Sequence, residues 1–131
     1  MSSGLRMSAF NRTRETRVAS RVRVANTHWS RLRGLIGTSA SEFQSGEGLW
    51  ILPCHGVHTF AMRFPLDLIY LDPERAVVEI FEAVKPWRVA PVRMRAASVL
   101  ELPPGAIERS GTQTGDTIEM TAVESASEGA A

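Results

Sequence analysis

Short apolar runs separated by turn-forming residues fill the middle of this chain. Five such runs cover residues 49–52, 57–62, 66–71, 76–84 and 97–102. A proline follows each run within a few residues, and apolar segments of this length between such breaks are typical of strands. Near the C-terminus, apolar and polar residues alternate over positions 117–121, which predicts a last strand with one buried face.

The pattern of the first third changes at Arg17. Residues 1–16 are polar and aperiodic, which predicts a flexible basic leader. From Arg17 onward valines alternate with arginines, which predicts an early strand with a solvated face. At the other end, residues 125–131 are small and polar, so we expect a disordered tail.

Only short helices are predicted. Thr27 is a suitable cap for a helix that ends at Gly37, because the apolar residues between them recur every three or four positions. Single helical turns are expected at residues 41–43 and 106–110. None of these helices is long enough to connect two parallel strands across a sheet.

A tight turn at residues 72–75, Asp-Pro-Glu-Arg, predicts a hairpin between the runs on either side. Many short strands with turns between them favour a β-sandwich or a rolled barrel over a doubly wound α/β fold. At 131 residues the chain fits one domain. The sequence therefore predicts a compact, mainly β single domain over residues 17–124, with one or two short helices.

Composition narrows the class of protein further. No stretch approaches the roughly 20 apolar residues that a membrane-spanning helix needs. The single cysteine, Cys54, excludes an internal disulfide and fits a reducing compartment. The N-terminus has no apolar core of a secretory signal, so we expect a cytoplasmic protein with no membrane partner.

Positive charge is concentrated near the N-terminus. Residues 1–33 contain eight arginines and one acidic residue, Glu15. A basic segment over residues 6–33 is able to contact nucleic acid. The plainer alternative is a segment that docks on its own domain, and we favour it because no aromatic residue between Arg12 and Arg23 is available to stack on bases.

The densest set of reactive side chains lies within residues 54–67. If residues 57–63 are extended, His58, Phe60 and Met62 share one face, where a core histidine is the plainer interpretation. A nucleophilic site would use Cys54 with His58 or His55 as base and Asp67 as the orienting acid. A metal site would add His55, but the spacing matches no strong ligand motif, and we predict no metal or cofactor.

Two acidic residues lie within apolar strands. Asp67 and Glu101 both point toward a core or a cleft, where a carboxylate needs a partner such as His58, Arg63 or Arg88. Two inward acids can act as general acid and base, as in hydrolases, or can form a structural network that fixes the strand register.

An aromatic residue in a rigid turn is the second unusual element. Trp87 lies in the segment Lys85-Pro86-Trp87-Arg88. Its ring is suited to form a wall of a ligand groove, with Arg88 binding an anion, and equally suited to cap an open end of the domain.

The order of these elements resembles a known family. The motifs are Arg33-Gly34-Leu35-Ile36-Gly37, Gly48-Leu49-Trp50, the run from Val57 to Asp72, Val84-Lys85-Pro86-Trp87, Val99-Leu100-Glu101-Leu102-Pro103-Pro104-Gly105 and Gly115-Asp116. Over residues 17–121 they resemble a widespread prokaryotic family, the domain of unknown function numbered one hundred and ninety-two. The resemblance implies a mainly β sandwich or barrel and implies no activity.

We therefore expect a small cytoplasmic ligand-binding or accessory module from a bacterium, with an unknown small molecule or protein as partner. The residues expected to line its cleft are His58, Met62, Arg63, Asp67, Trp87 and Glu101. One alternative is a small hydrolase or metal-dependent enzyme that uses Cys54, His58, Asp67 and Glu101. A second alternative is nucleic-acid binding through residues 6–33.

Overall fold

The computed structural model describes residues 6–27, 35 and 37–123. The described residues form seven strands: β1 (Arg6–Asn11), β2 (Thr16–Ala25), β3 (Glu47–Ile51), β4 (Leu66–Leu71), β5 (Val77–Val84), β6 (Ser98–Leu102) and β7 (Ile118–Ala122). They also include a short α-helix, α1 (Ala106–Ser110), which precedes β7, and a 3-10 turn over Ala40–Glu42.

All seven strands belong to one curled sheet. Their order is β5-β4-β6-β3-β2-β1-β7, and every neighbouring pair is antiparallel except β2 and β3. The sheet curls far enough for its edges to meet, because Ala76 before β5 pairs with Thr117 before β7. The result is a half-barrel, which confirms the predicted mainly β domain.

Each face of the sheet carries its own apolar core. The inner core, inside the curl, takes side chains from all seven strands and from α1; its members include Ala9, Val22, Trp50, Ile69, Val77, Leu100, Ile107 and Ile118. The outer core lies on the convex face of β3, β4 and β6. Residues from the connecting segments cover it, among them Leu35, Phe43, Met62, Phe64, Ala90 and Ala96.

The β4–β5 hairpin forms where the sequence predicts it. Asp72 Oδ1 accepts hydrogen bonds from the backbone N–H groups of Glu74 and Ala76, each at 2.9 Å. Arg75 in this turn has a positive φ of 70°. The side chain of Asp72 thus fixes the turn that sets the register between the two strands.

The prediction of a flexible leader over residues 1–16 is wrong for the part that the structure describes. Arg6–Asn11 forms β1, which lies between β2 and β7 in the sheet. Ala9 and Asn11 are fully buried, although the polar residues around them hide this pattern in the sequence. Residues 1–5 and 124–131, and nearly all of the helix predicted to start after Thr27, lie outside the described residues.

The predicted strand over residues 57–62 is also wrong. Only His58 forms a β-bridge, to Val89, and Ala61 has a left-handed φ of 62°. Prolines at positions 53 and 65 bound this segment. Its central residue, Thr59, forms hydrogen bonds to the backbone of residues 85–88, which lie in a loop and not in a strand. Period-two alternation therefore fails, and Met62 is buried while His58 and Phe60 are exposed.

Candidate functional site

Asp67 is a structural residue of the inner face. Its Oδ1 accepts a hydrogen bond from the Ala83 N–H at 2.8 Å. Its Oδ2 accepts bonds from the N–H groups of Gly105 at 3.1 Å and Ile107 at 2.9 Å, at the start of α1. The carboxylate is fully buried, and these bonds compensate its lost hydration while joining β4, β5 and α1.

Glu101 lies on the opposite face of the same sheet. Its cross-strand neighbours are Leu49 on β3 and Leu68 on β4, and both belong to the outer core. Asp67 is aligned with Leu102, which belongs to the inner core. Because adjacent residues of a strand point to opposite faces, the two carboxyl groups do not converge, and the paired-acid hypothesis is wrong.

The Glu101 carboxyl has an apolar environment. No donor among the described residues forms a hydrogen bond to it, and burial raises its pKa to about 8. A carboxyl with this pKa is mostly protonated near neutral pH, which avoids a buried negative charge. The nearby Tyr70 hydroxyl donates to the Pro91 carbonyl at 2.7 Å, and burial raises the pKa of Tyr70 to about 12.

The residues of the enzyme hypothesis are not assembled around one point. Cys54 Sγ donates to the Gly56 carbonyl at 3.0 Å, and Asp67 is on the other side of the sheet. His58 is exposed, and its Nδ1 accepts the Phe60 N–H at 3.3 Å. Among the residues that the structure describes, no three His, Cys, Asp or Glu side chains are grouped so that they could hold a metal ion.

Two connecting segments, residues 53–65 and 85–97, are hydrogen-bonded to each other along their length. Thr59 is the centre of this contact. Its hydroxyl donates to the Lys85 carbonyl at 2.7 Å and accepts from the Arg88 N–H at 2.9 Å, while its carbonyl accepts from the Trp87 N–H at 2.9 Å. The bond from Ala90 N–H to the Val57 carbonyl, at 2.9 Å, extends the pairing. The two segments therefore form a fixed layer over the outer core.

Five large apolar side chains project from this layer into solvent. They are exposed by 41% to 73% and form what we call the loop surface: Phe60, Trp87, Val89, Val92 and Met94. The Phe60 ring connects its two segments, with its centroid 5.9 Å from Trp87 and 4.9 Å from His58. Since the backbone beneath them is bonded, the exposure of these side chains is a property of the fold.

The segments that carry the loop surface contain basic residues and no acidic ones. Residues 53–65 and 85–97 include Arg63, Lys85, Arg88, Arg93 and Arg95. Arg93 forms an ion pair with Glu79 of β5 at 3.0 Å, and the other four side chains are exposed. The two segments that carry the loop surface therefore have a net positive charge.

The residues predicted to line one cleft thus lie in several separate parts of the structure. His58 and Trp87 lie at the loop surface, Met62 is buried in the outer core, and Asp67 and Glu101 occupy opposite faces. Arg63 is exposed near Glu42; the hydrogen bonds from Ser39, and then the charge of Arg63, lower the pKa of that carboxyl.

Sequence reasoning missed the exposed aliphatic residues. Val89, Val92 and Met94 lie between prolines and arginines without helical or strand periodicity. The sequence did contain a signal for this exposed site: apolar residues without helical or strand periodicity in a segment rich in Arg and Lys.

The arginines of the N-terminal region bind to their own domain. Arg12 pairs with Glu119 at 3.2 Å, Arg14 with Asp116 at 3.0 Å, and Arg21 with Glu47 at 3.0 Å. This agrees with the docked interpretation of the basic segment. The nucleic-acid alternative finds no extended arm within residues 6–27.

Sequence comparison places these features in a family. A model of DUF192, described as Uncharacterized ACR, matches residues 9–120. The chain belongs to this family. The match begins within β1 and ends within β7, so it includes part of each of these strands and all of the elements between them.

Relatives and solved structures agree with this assignment. A UPF0127 protein from Thermococcus sibiricus is 31% identical over 84% of this chain and 72% of its own length. One from Thermococcus kodakarensis is 29% identical over 88% of this chain and 74% of its own. A protein of unknown function from Novosphingobium aromaticivorans shares the fold with a TM-score of 0.74, at 24% identity, over 88% of this chain and 84% of its own. Members of the family have no established function. Within the described ranges, no helix has the length and apolar content to cross a membrane.

Proposed function

We propose that this DUF192 protein is a non-catalytic accessory module that binds a protein partner through the loop surface. The observation that supports the proposal most directly is the exposure of Trp87, Met94 and their three apolar neighbours on a hydrogen-bonded backbone. The Phe60 and Trp87 rings lie against each other, and clustered exposed apolar side chains of this kind mark interaction sites. Tryptophan and methionine are enriched in such interfaces, and tryptophan contributes disproportionately to binding energy.

The charge around the loop surface indicates the chemistry of the partner. Three exposed cations, Lys85, Arg88 and Arg95, stand in the segment 85–97, which contains no acid. A partner segment that presents acidic residues around apolar ones would complement both the charge and the apolar centre. A second copy of this chain is a poor partner for the same face, since the two cationic surfaces would repel each other.

The shape of the surface favours a protein over a small molecule. Small-ligand sites are concave and bury most of the ligand. Here the side chains project into solvent, which suits a broad interface. Three of the five are aliphatic, and aliphatic side chains do not provide the flat rings on which single-stranded bases stack. We place the module in the cytoplasm of a prokaryotic cell, where the lone Cys54 remains reduced.

Site-specific photo-crosslinking in the host cell tests this proposal. We would replace Val92 with p-benzoylphenylalanine and, as a matched control, replace the exposed Thr114, which lies outside the loop surface. We expect one protein to crosslink at position 92 and not at position 114, and the Trp87→Ser variant to lose that crosslink. After purification, the crosslinked partner should bind the wild-type protein that lacks the photo-crosslinker. The affinity should fall as the salt concentration rises.

Three outcomes would overturn the proposal. The first is equal labelling from positions 92 and 114. The second is a crosslink at position 92 to another copy of the chain, accompanied by a dimer in light scattering. The third is binding of the unlabelled protein to anionic phospholipid vesicles that Trp87→Ser abolishes, which would identify a membrane surface as the occupant.

A further inference from the structure

One titratable side chain, His58, lies directly among the apolar residues of the loop surface. Its segment pairs with the second segment in the antiparallel sense, and His58 forms a β-bridge to Val89. Backbone hydrogen bonds of 2.8 and 2.9 Å join the residues that flank this bridge on either side. In such a pair the Cα atoms lie about 4.5 Å apart and the two side chains share one face. Val89 is therefore a direct neighbour of the imidazole.

The Phe60 ring is the second neighbour of His58. The centroids of the two rings are 4.9 Å apart, and the Phe60 ring in turn stacks on Trp87 at 5.9 Å. His58, Phe60, Trp87 and Val89 are all exposed. A partner that covers the three apolar side chains must therefore cover the imidazole as well.

The hydrogen bond at the imidazole depends on its charge. Nδ1 of His58 accepts the Phe60 N–H at 3.3 Å, so this nitrogen carries no proton and the neutral ring holds its proton on Nε2. An imidazolium carries a proton on both nitrogens and cannot accept the bond. Protonation of His58 thus removes a contact that positions Phe60.

The charges around His58 do not compensate an imidazolium. Residues 53–65 and 85–97 contain no acid, and their cations are Arg63, Lys85, Arg88, Arg93 and Arg95. Glu79 of β5 is committed to Arg93 at 3.0 Å. In the outer core, burial raises the pKa of Tyr70 to about 12 and that of Glu101 to about 8, so both groups are mostly uncharged near neutral pH.

We propose that the loop surface binds its protein partner only while His58 is neutral, so that acidification releases the partner. The inference rests on the proposed function and adds its regulation. Covering an imidazolium with apolar groups removes its hydration without supplying a counter-charge, which is unfavourable. Histidine is the side chain whose charge ordinarily changes between about pH 5 and pH 8, so docking responds to pH within this range.

The affinity of the full wild-type chain for the protein that crosslinks at position 92 tests the proposal, measured at pH 7.5 and pH 5.5 and constant ionic strength. A typical histidine is about nine-tenths charged at pH 5.5, and we expect only the neutral fraction to bind, so Kd should rise about tenfold. His58→Asn keeps an oxygen that can accept the Phe60 N–H and does not titrate. Its Kd should be the same at both pH values.

His55→Asn is the matched control. His55 is an exposed histidine of the same segment, and its Nδ1 lies 2.7 Å from the Ala96 carbonyl, to which it donates. Neutral and charged rings can both donate this bond. His55→Asn should therefore retain the tenfold change in Kd.

The free wild-type chain supplies a second measurement that needs no partner. The NMR signal of the Phe60 N–H should shift between pH 7.5 and pH 5.5, because protonation of His58 breaks its hydrogen bond, and the shift should be absent in His58→Asn. An unchanged signal in the wild type overturns the proposal.

The binding data separate this inference from the proposed function. Absence of any crosslink at position 92 refutes the proposed function, and the inference with it. A crosslinked partner whose Kd is equal at both pH values, or lower at pH 5.5, refutes the inference alone. A tenfold change that persists in His58→Asn also refutes it, because another group would then be responsible.

Discussion

On the inner face of the curled sheet the buried polar groups are bonded to one another, whereas on the outer face two of them have no partner among the described residues. Asp67 accepts three backbone N–H groups inside the curl, and Asn11 donates to Thr112 and Asp116 at 3.0 Å. Outside it, Glu101 lacks a donor and the Nη1 group of Arg6 lacks an acceptor.

This difference distinguishes residues that stabilise the fold from residues that we expect to bind a ligand or a partner. Networks that are fully bonded rigidify a fold and specify its register. Groups left unpaired cost stability, and proteins commonly retain such groups where they bind something. The outer face, which also carries the loop surface, is therefore where we look for function.

The largest effect is expected at Asp67. Asp67→Ala removes the acceptor of three backbone N–H groups and should lower the free energy of unfolding by about 2–4 kcal/mol. Urea denaturation followed by circular dichroism measures the change. Glu108→Ala, an exposed acid of α1, is the control and should change stability little. An Asp67 variant as stable as that control would show that the three bonds do not hold the inner face together.

A smaller effect is expected at Asp116, with a defined pH dependence. Burial alone would raise the pKa of Asp116, but hydrogen bonds from Arg14, Asn11 and the Gln113 N–H outweigh it and lower the pKa. Because the pKa of Asp116 in the folded protein is below its usual value near 3.8, the carboxylate stabilises the fold at pH values above 3.8. This stability is lost as the pH falls through the folded pKa. Asp116→Asn should thus cost about 1–3 kcal/mol near neutral pH and less in acid.

Urea titrations of the wild type and Asp116→Asn at pH 7 and pH 3 measure this difference. A cost that is the same at both values would contradict the charge-assisted network and leave only packing at this position.

The smallest change in stability is expected at the loop surface. Trp87→Ser and Met94→Ser remove exposed side chains and should alter the free energy of unfolding by no more than about 0.5 kcal/mol. Met62→Ala, in the same segment as Phe60 but buried, should cost about 2–5 kcal/mol. Differential scanning calorimetry of the three variants sharpens the comparison. Losses of similar size would mean that Trp87 and Met94 support the fold.

The sequence predicts the sheet better than the site, for a physical reason. Strands β2 to β7 follow apolar runs, alternating patterns and turn residues that act locally, and the Asp72 turn is fixed by its own side chain. β1 escapes prediction because its burial comes from pairing with β2 and β7, which are distant in the sequence.

The candidate site depends on contacts that no local pattern encodes. Asp67 and Glu101 are both predicted to be buried, correctly, but the face that each occupies follows from the alignment of β4 with β6. Thr59 holds its segment through bonds to residues 85 and 88, so period-two reasoning fails there. Arg6 and Arg23 likewise become neighbours only because β1 pairs with β2.

The pH dependence of stability in Glu101→Gln tests the difference between the two faces most directly. Burial raises the folded pKa of Glu101 from its usual value near 4.5 to about 8. The unfolded chain therefore ionises first, and the stability that this group contributes is complete below pH 4.5 and is lost as the pH rises to about 8. Wild-type unfolding free energies should fall across this window by a few kcal/mol.

Glu101→Gln removes the titrating group while keeping its shape, so its stability should be nearly constant over the same range and exceed that of the wild type at pH 8.5. The account is contradicted if Glu101→Gln is less stable than the wild type at pH 8.5, because the carboxyl would then be a bonded structural residue like Asp67.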